Sequence, residues 1–343
     1  MGLEIFLFHS QRYPSVISPD SSTGFFEMFY NNERSRQLIG PQILGMGDSR
    51  MALTPRLANQ LRGETGYTFG SAAVPGATPR GWYYMLRDLD PQKNRYKAII
   101  FGMDNYDDLG SLEDMTDRQL DTRLIAARLR LSDLWDYSTS FRSWDTQWAA
   151  ARSIFFKGLL WSTDFQLFLH NPAERMRITD DSHKQSYQWN YDYVAPSKTM
   201  EGVIVDFKAR TLTVSPDHTE AQRQAYIRWL LREIPIDDGR MRDYNQTWLG
   251  RIQDLYSQSQ TRLIFFRLPR APFIRPDYPP TNLHSTLRKM GAQPRVTVLD
   301  ENLLETLERP EFFLDEMHLN ETGHKRLTDL LVHEIHRTLG SPQ

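Results

Sequence analysis

Apolar residues run along this chain in two alternating rhythms. Short, nearly unbroken apolar runs stand at Ile43-Leu44-Gly45-Met46, Tyr67-Thr68-Phe69, Ala98-Ile99-Ile100-Phe101, Leu263-Ile264-Phe265-Phe266 and Val296-Thr297-Val298-Leu299. Runs of that length predict strands buried on both faces. Between them the spacing turns helical. It does so over 51–61, over 82–89 until Asp90-Pro91, from a cap at Asp217 or Thr219 to 233, over 244–257 and over 282–290. A last helix follows Asn320, carries Leu327, Leu330, Leu331, Ile335 and Leu339, and closes at Gly340. This βαβ alternation predicts an α/β class with a doubly wound, mostly parallel five-stranded sheet. Residues 202–207 and 211–214 predict a β-hairpin.

Two segments stand outside that alternation. Residues 1–41, with Pro14, Pro19, Ser21, Ser22 and Gly24, predict an irregular lead-in to the first strand. Residues 106–200 predict a mostly helical insertion within a single domain over 42–343, packed over the carboxyl edge of the sheet. Leu120, Leu124, Ala127, Leu131 and Leu134 set its helical spacing, and aromatics from Trp135 to Phe168 follow. Its opening acids, Asp107, Asp108, Glu113, Asp114 and Asp117, predict a solvated face.

Composition narrows the picture by exclusion. Hydrophobic residues make up 40% of the 343 and charged residues 24%, as in an ordinary globule. A formal charge of −2, from 41 basic and 43 acidic residues, gives no reason to propose nucleic acid. With no cysteine there is no disulfide framework and no thiolate metal site. His333 and His336 flank Glu334 on a helix, but no third ligand is visible, so no metal and no cofactor are expected. Eight tryptophans hint at an aromatic groove, against the plainer alternative of a large aromatic core. No stretch approaches the roughly 18 apolar residues of a membrane span. The apolar run over 3–8 is too short for a signal-peptide core. The absence of cysteine fits an extracytoplasmic home, periplasmic or cell-surface, which is the expectation, and Met1-Gly2 before the run fits a start placed after a removed anchor.

The candidate chemistry lies at the ends of predicted strands. The first run closes on Gly45-Met46-Gly47-Asp48-Ser49-Arg50 and then turns helical. A strand that breaks into a helix leaves Ser49 at the carboxyl edge of the sheet, with backbone amides aimed at the same spot. Far away, Asp315-Glu316-Met317-His318 places a carboxylate three residues before a histidine. A serine hydroxyl becomes a nucleophile when a histidine takes its proton and a carboxylate holds that histidine's tautomer.

Together these segments resemble the SGNH (GDSL-type) hydrolase superfamily, whose first block is Gly-Asp-Ser and whose last is Asp-x-x-His. The likeness covers roughly 42–105 and 260–340 and implies a flavodoxin-like sheet bearing a serine site. It makes Ser49 the nucleophile, His318 the base and Asp315 its support. The family's second block supplies an oxyanion-binding glycine amide, and Val74-Pro75-Gly76-Ala77-Thr78 makes Gly76 the candidate beside the Ser49 amide. The third block, Gly-x-Asn-Asp, is altered to Gly102-Met103-Asp104-Asn105. Asp104 stands in the donor's place and Asn105 one residue late. A carboxylate cannot donate unless protonated, so Asn105 is the favoured third donor. Asp48 and Arg50, flanking the serine, are candidate substrate contacts.

The resemblance implies an ester hydrolase or O-acyltransferase acting on acyl, above all acetyl, esters of a cell-surface polysaccharide. In outline the chain is similar to members that work with a membrane-bound acyl-donor partner on acylated carbohydrate. The alternative is a catalytically weak glycan-binding or scaffold protein on the same fold.

Overall fold

Five strands pair in parallel: β1 (Gln42–Met46), β2 (Thr68–Ser71), β3 (Ala98–Met103), β6 (Arg262–Arg267) and β7 (Val296–Val298), in the order β2-β1-β3-β6-β7. A separate antiparallel hairpin joins β4 (Ile204–Asp206) to β5 (Thr211–Thr213). The computed structural model describes residues 2–10, 12–51, 62–110, 114–185, 200–233, 239–276 and 278–341. The helix expected over 51–61 lies outside them from residue 52 onward.

Alternate strand residues feed two separate cores. Leu44, Met46, Ile99, Phe101, Leu263 and Phe265 face one side, where α1 (Ser22–Ser35), α2 (Pro79–Leu89), α3 (Gln119–Ile125) and α4 (Trp144–Phe155) lie. Ile43, Ala98, Ile100, Ile264 and Phe266 face the other, beneath α5 (Glu220–Leu230). The first side also carries α6 (Arg240–Leu255) and α7 (Thr286–Met290), and the second α8 (Glu321–Leu339). Helices on both faces explain why the central strands read as continuous apolar runs: β1 and β3 are buried at every position. The sheet is a doubly wound α/β sheet, and the chain reverses direction across it between β1 and β3.

Three expectations need correcting. The lead-in is not irregular throughout, because α1 spans 14 of its residues. Ser21 is its N-cap, accepting from the Gly24 amide at 3.0 Å, so the small residues that read as a turn are a helix start. Phe26, Phe29 and Tyr30 then enter the first core.

The helical segment after β3 does not lie mainly over the carboxyl edge. Leu124, Ile125, Tyr137, Phe141, Ala150 and Ile154 join the core beneath α1 and α2, so this segment thickens one face of the molecule. Near its start, Arg118 donates to the Gly76 carbonyl at the end of the turn after β2.

The acidic opening is a solvated face only in part, since Asp114 is exposed and Asp117 half-buried but the first two acids are not. Asp107 and Asp108 are 4% and 1% exposed. Asp108 accepts from the Thr286 amide (2.8 Å), Thr286 Oγ1 (3.0 Å) and Asn245 Nδ2 (2.8 Å), and Asp107 accepts from the Asn282 amide (2.9 Å) and from Arg288. Both carboxylates fasten the start of α7, repaying their burial with several donors each. Glu113 lies outside the described residues.

Candidate active site

The turn after β1 is shaped by two close approaches. A Cβ on Gly47 would lie 2.4 Å from Met51 Cγ, and one on Gly102 would lie 2.6 Å from the same atom. Met51, fully buried, therefore nests against both glycines and pins the short 3₁₀ turn Ser49–Met51 between the ends of β1 and β3. These contacts give a physical reason for the glycine of Gly-Asp-Ser and for that of the third motif.

The acid–base loop is closed by its own backbone. Phe313 and Leu319 form an isolated antiparallel bridge, and the Leu314 amide donates to the His318 carbonyl at 2.8 Å. Asn320 then caps α8 by accepting from the Gly323 amide at 2.9 Å. Phe313 and Leu319 belong to the second core, so the loop is anchored from beneath.

These two segments meet. Ser49 Oγ lies 2.8 Å from His318 Nε2, and His318 Nδ1 lies 2.8 Å from Asp315 Oδ2 and 3.1 Å from Oδ1. The carboxylate contact puts the proton on Nδ1 and leaves the Nε2 lone pair for the serine hydroxyl. Burial by itself would raise the Asp315 carboxyl. Hydrogen bonds from His318 and from the Met317 and His318 amides outweigh it and hold that carboxyl below its ordinary value. One turn on, His324 is buried and held neutral; burial first, and then the charge of His318, lower its pKa to about 3. His333 and His336 belong to no cluster that could hold a metal among the described residues.

Gly76 has φ +73°, a conformation that glycine adopts without strain, and its carbonyl accepts from Arg118 Nη1. Among the described residues neither the Ser49 nor the Gly76 amide donates to a protein acceptor. Both amides are therefore unengaged, and Gly76 lies two residues beyond Val74, whose amide donates to the Gly47 carbonyl at 3.2 Å.

The third position departs from the expectation. Asn105 is turned into its own loop: its Oδ1 accepts from the Asp107 and Leu109 amides at 3.0 and 3.3 Å, and its Nδ2 donates to the Leu109 carbonyl at 3.4 Å. Asp104 instead receives the Arg50 guanidinium through Nη2. Arg50 also holds Asp48, through Nε at 3.1 Å and Nη2 at 2.6 Å. Burial would raise the Asp48 carboxyl, but Arg50 overrides it and holds the group below its ordinary value. Asp48 and Arg50 thus form an ionic clamp with Asp104. Sequence reasoning missed it because the Arg50–Asp104 contact spans 54 residues and only the sheet register brings the two strand ends abreast.

Trp135, Trp144 and Trp148 are exposed on the helical segment after β3, while Trp82, Trp161 and Trp248 are buried. No helix among the described residues is long and apolar enough to cross a membrane.

No family model matches this chain, and no curated protein matches it.

Proposed function

We propose that this protein is a serine-dependent acyl-ester hydrolase or O-acyltransferase. The observation that carries the reading is the hydrogen-bonded chain from Ser49 Oγ through His318 to Asp315, assembled from residues 269 apart. Such a chain is what an activated serine nucleophile requires. The likeness of the Gly-Asp-Ser and Asp-x-x-His segments to SGNH hydrolases supports the same chemistry.

In this reading Ser49 Oγ attacks the ester carbonyl carbon as its proton passes to His318 Nε2. Asp315 stabilises the imidazolium that forms. The carbonyl electrons become an oxyanion facing the Ser49 and Gly76 amides. When that intermediate collapses, the ester C–O bond breaks and the leaving alkoxide takes the proton from His318. The acyl group is now on Ser49. Water, deprotonated by His318, then releases it as an acid, or an acceptor hydroxyl takes it as a new ester. Acetyl groups of a cell-surface polysaccharide are the proposed substrate, on the family likeness alone.

A second reading, a glycan-binding protein without turnover, is favoured by the carboxylate at Asp104, where the family has an amide. Hydrolysis of p-nitrophenyl acetate distinguishes the two. The enzyme reading expects turnover in the wild type that Ser49→Ala abolishes. Equal rates in both proteins would leave the binding reading standing.

A further inference from the structure

Asp104 raises a problem of charge. Met46 of β1 pairs with Phe101 of β3, so the turns that carry Ser49 and Asp104 leave neighbouring strand ends. An ionised carboxylate facing a developing oxyanion would oppose it. Its charge is not left bare, because Arg50 binds it.

The guanidinium has five N–H groups in one plane. Nε and one N–H of Nη2 hold Asp48, and the remaining Nη2 contact holds Asp104. That engages three. Both N–H groups of Nη1 have no acceptor among the described residues. One shares the terminal guanidinium edge with the Nη2 N–H that holds Asp104, the other points back towards Cδ, and the side chain as a whole is 13% exposed. Two carboxylates therefore hold this group rigidly, with an unused donor pair on the residue next to the nucleophile.

We propose that Arg50, clamped between Asp48 and Asp104, supplies the third oxyanion-stabilising N–H of this site. The inference rests on Ser49 being the nucleophile. The Asp104–Arg50 pair takes the place of the missing side-chain amide: the carboxylate that cannot donate holds a cation that can. A charged donor in a sheltered site strengthens as negative charge grows on the carbonyl oxygen, so it acts on the transition state rather than on the bound ester. Arg232, whose guanidinium rests against the Trp229 ring at 5.5 Å, lies near enough to Asp104 to feel its charge.

The test is steady-state kinetics on p-nitrophenyl acetate with the full chain, comparing wild type, Ser49→Ala, Arg50→Ala, Arg50→Lys and the double variant Arg50→Ala/Asp104→Asn. Arg50→Ala should lower kcat by roughly 100- to 1,000-fold with little change in KM. Arg50→Lys keeps the positive charge but loses the Nη1 donors and the forked hold on Asp48, so its kcat should fall by at least about tenfold. In the double variant an amide returns beside the oxyanion, and kcat should recover by about tenfold or more over Arg50→Ala. Circular dichroism melts of all variants identify any loss due to unfolding. Folded Arg50→Lys with wild-type kcat, or a double variant no faster than Arg50→Ala, would overturn the assignment. Failure of the serine reading shows itself separately, as wild-type turnover no higher than that of Ser49→Ala.

Discussion

At the scale of single residues, the site depends on which groups carry charge and which are kept from it. In the proposed mechanism His318 takes a proton, whereas His324, in the first turn of α8, is buried so completely that it remains neutral. This has a consequence for stability. In the unfolded chain His324 would protonate near its ordinary 6.5, but in the fold only near 3. Between those values the unfolded state binds more protons, so acid favours unfolding. Denaturant titrations at pH 7 and pH 4.5 should therefore show a larger loss of stability in the wild type than in His324→Leu; equal losses would contradict the neutral-histidine account. Ser49, His318 and Asp315 were legible in the sequence because each motif is local and chemically specific. The fate of Asp104 and Asn105 was not. Whether a side chain turns into its own loop or towards a cation 54 residues away depends on tertiary packing that no motif spacing encodes.

At the scale of elements, the turn that presents Ser49 is held by a methionine seated against two glycines. Gly47→Ala would drive a methyl group into Met51 and should cost about 1–3 kcal/mol of stability, with a fall in activity as the turn shifts. Adding Met51→Ala removes Cγ, the nearest atom it meets, and leaves Cβ at 2.8 Å, so the double variant should recover part of the activity lost in Gly47→Ala. Thermal melts and ester hydrolysis on the pair check this, and no recovery would mean that the glycine serves some other need. The strands themselves were readable, since a parallel strand covered on both sides has to be apolar throughout. Helix α1 was not, because Ser21, Ser22 and Gly24 serve a helix start as well as they serve a turn. Asp107 and Asp108 misled for the opposite reason. Acidic residues usually face water, and only the amides at the start of α7 make their burial tolerable.

At the scale of the whole molecule, the segment following β3 is continuous with the core. Leu124, Ile125, Tyr137 and Phe141 pack together with Phe26, Trp82 and the sheet residues Ile99 and Phe101. Excising 119–185 and bridging the ends with a short linker should therefore expose apolar surface and yield insoluble or non-cooperatively folding protein. A soluble fragment with a sharp melt would show instead that the segment is an independent addition. The sequence marked this stretch as helical and aromatic but could not say what it covers, since its partners in α1 and α2 lie far earlier in the chain. The same long-range assembly makes the site, because Ser49 and His318 meet only when the two ends of the chain are folded together. The most direct measurement of that claim is intact mass after treatment with a serine-directed organophosphorus reagent. The account predicts a single adduct that maps to Ser49 in the folded wild type, is absent in Ser49→Ala, and forms far more slowly in His318→Ala. A folded wild type without an adduct, or one labelled as fast without His318 as with it, would contradict the account.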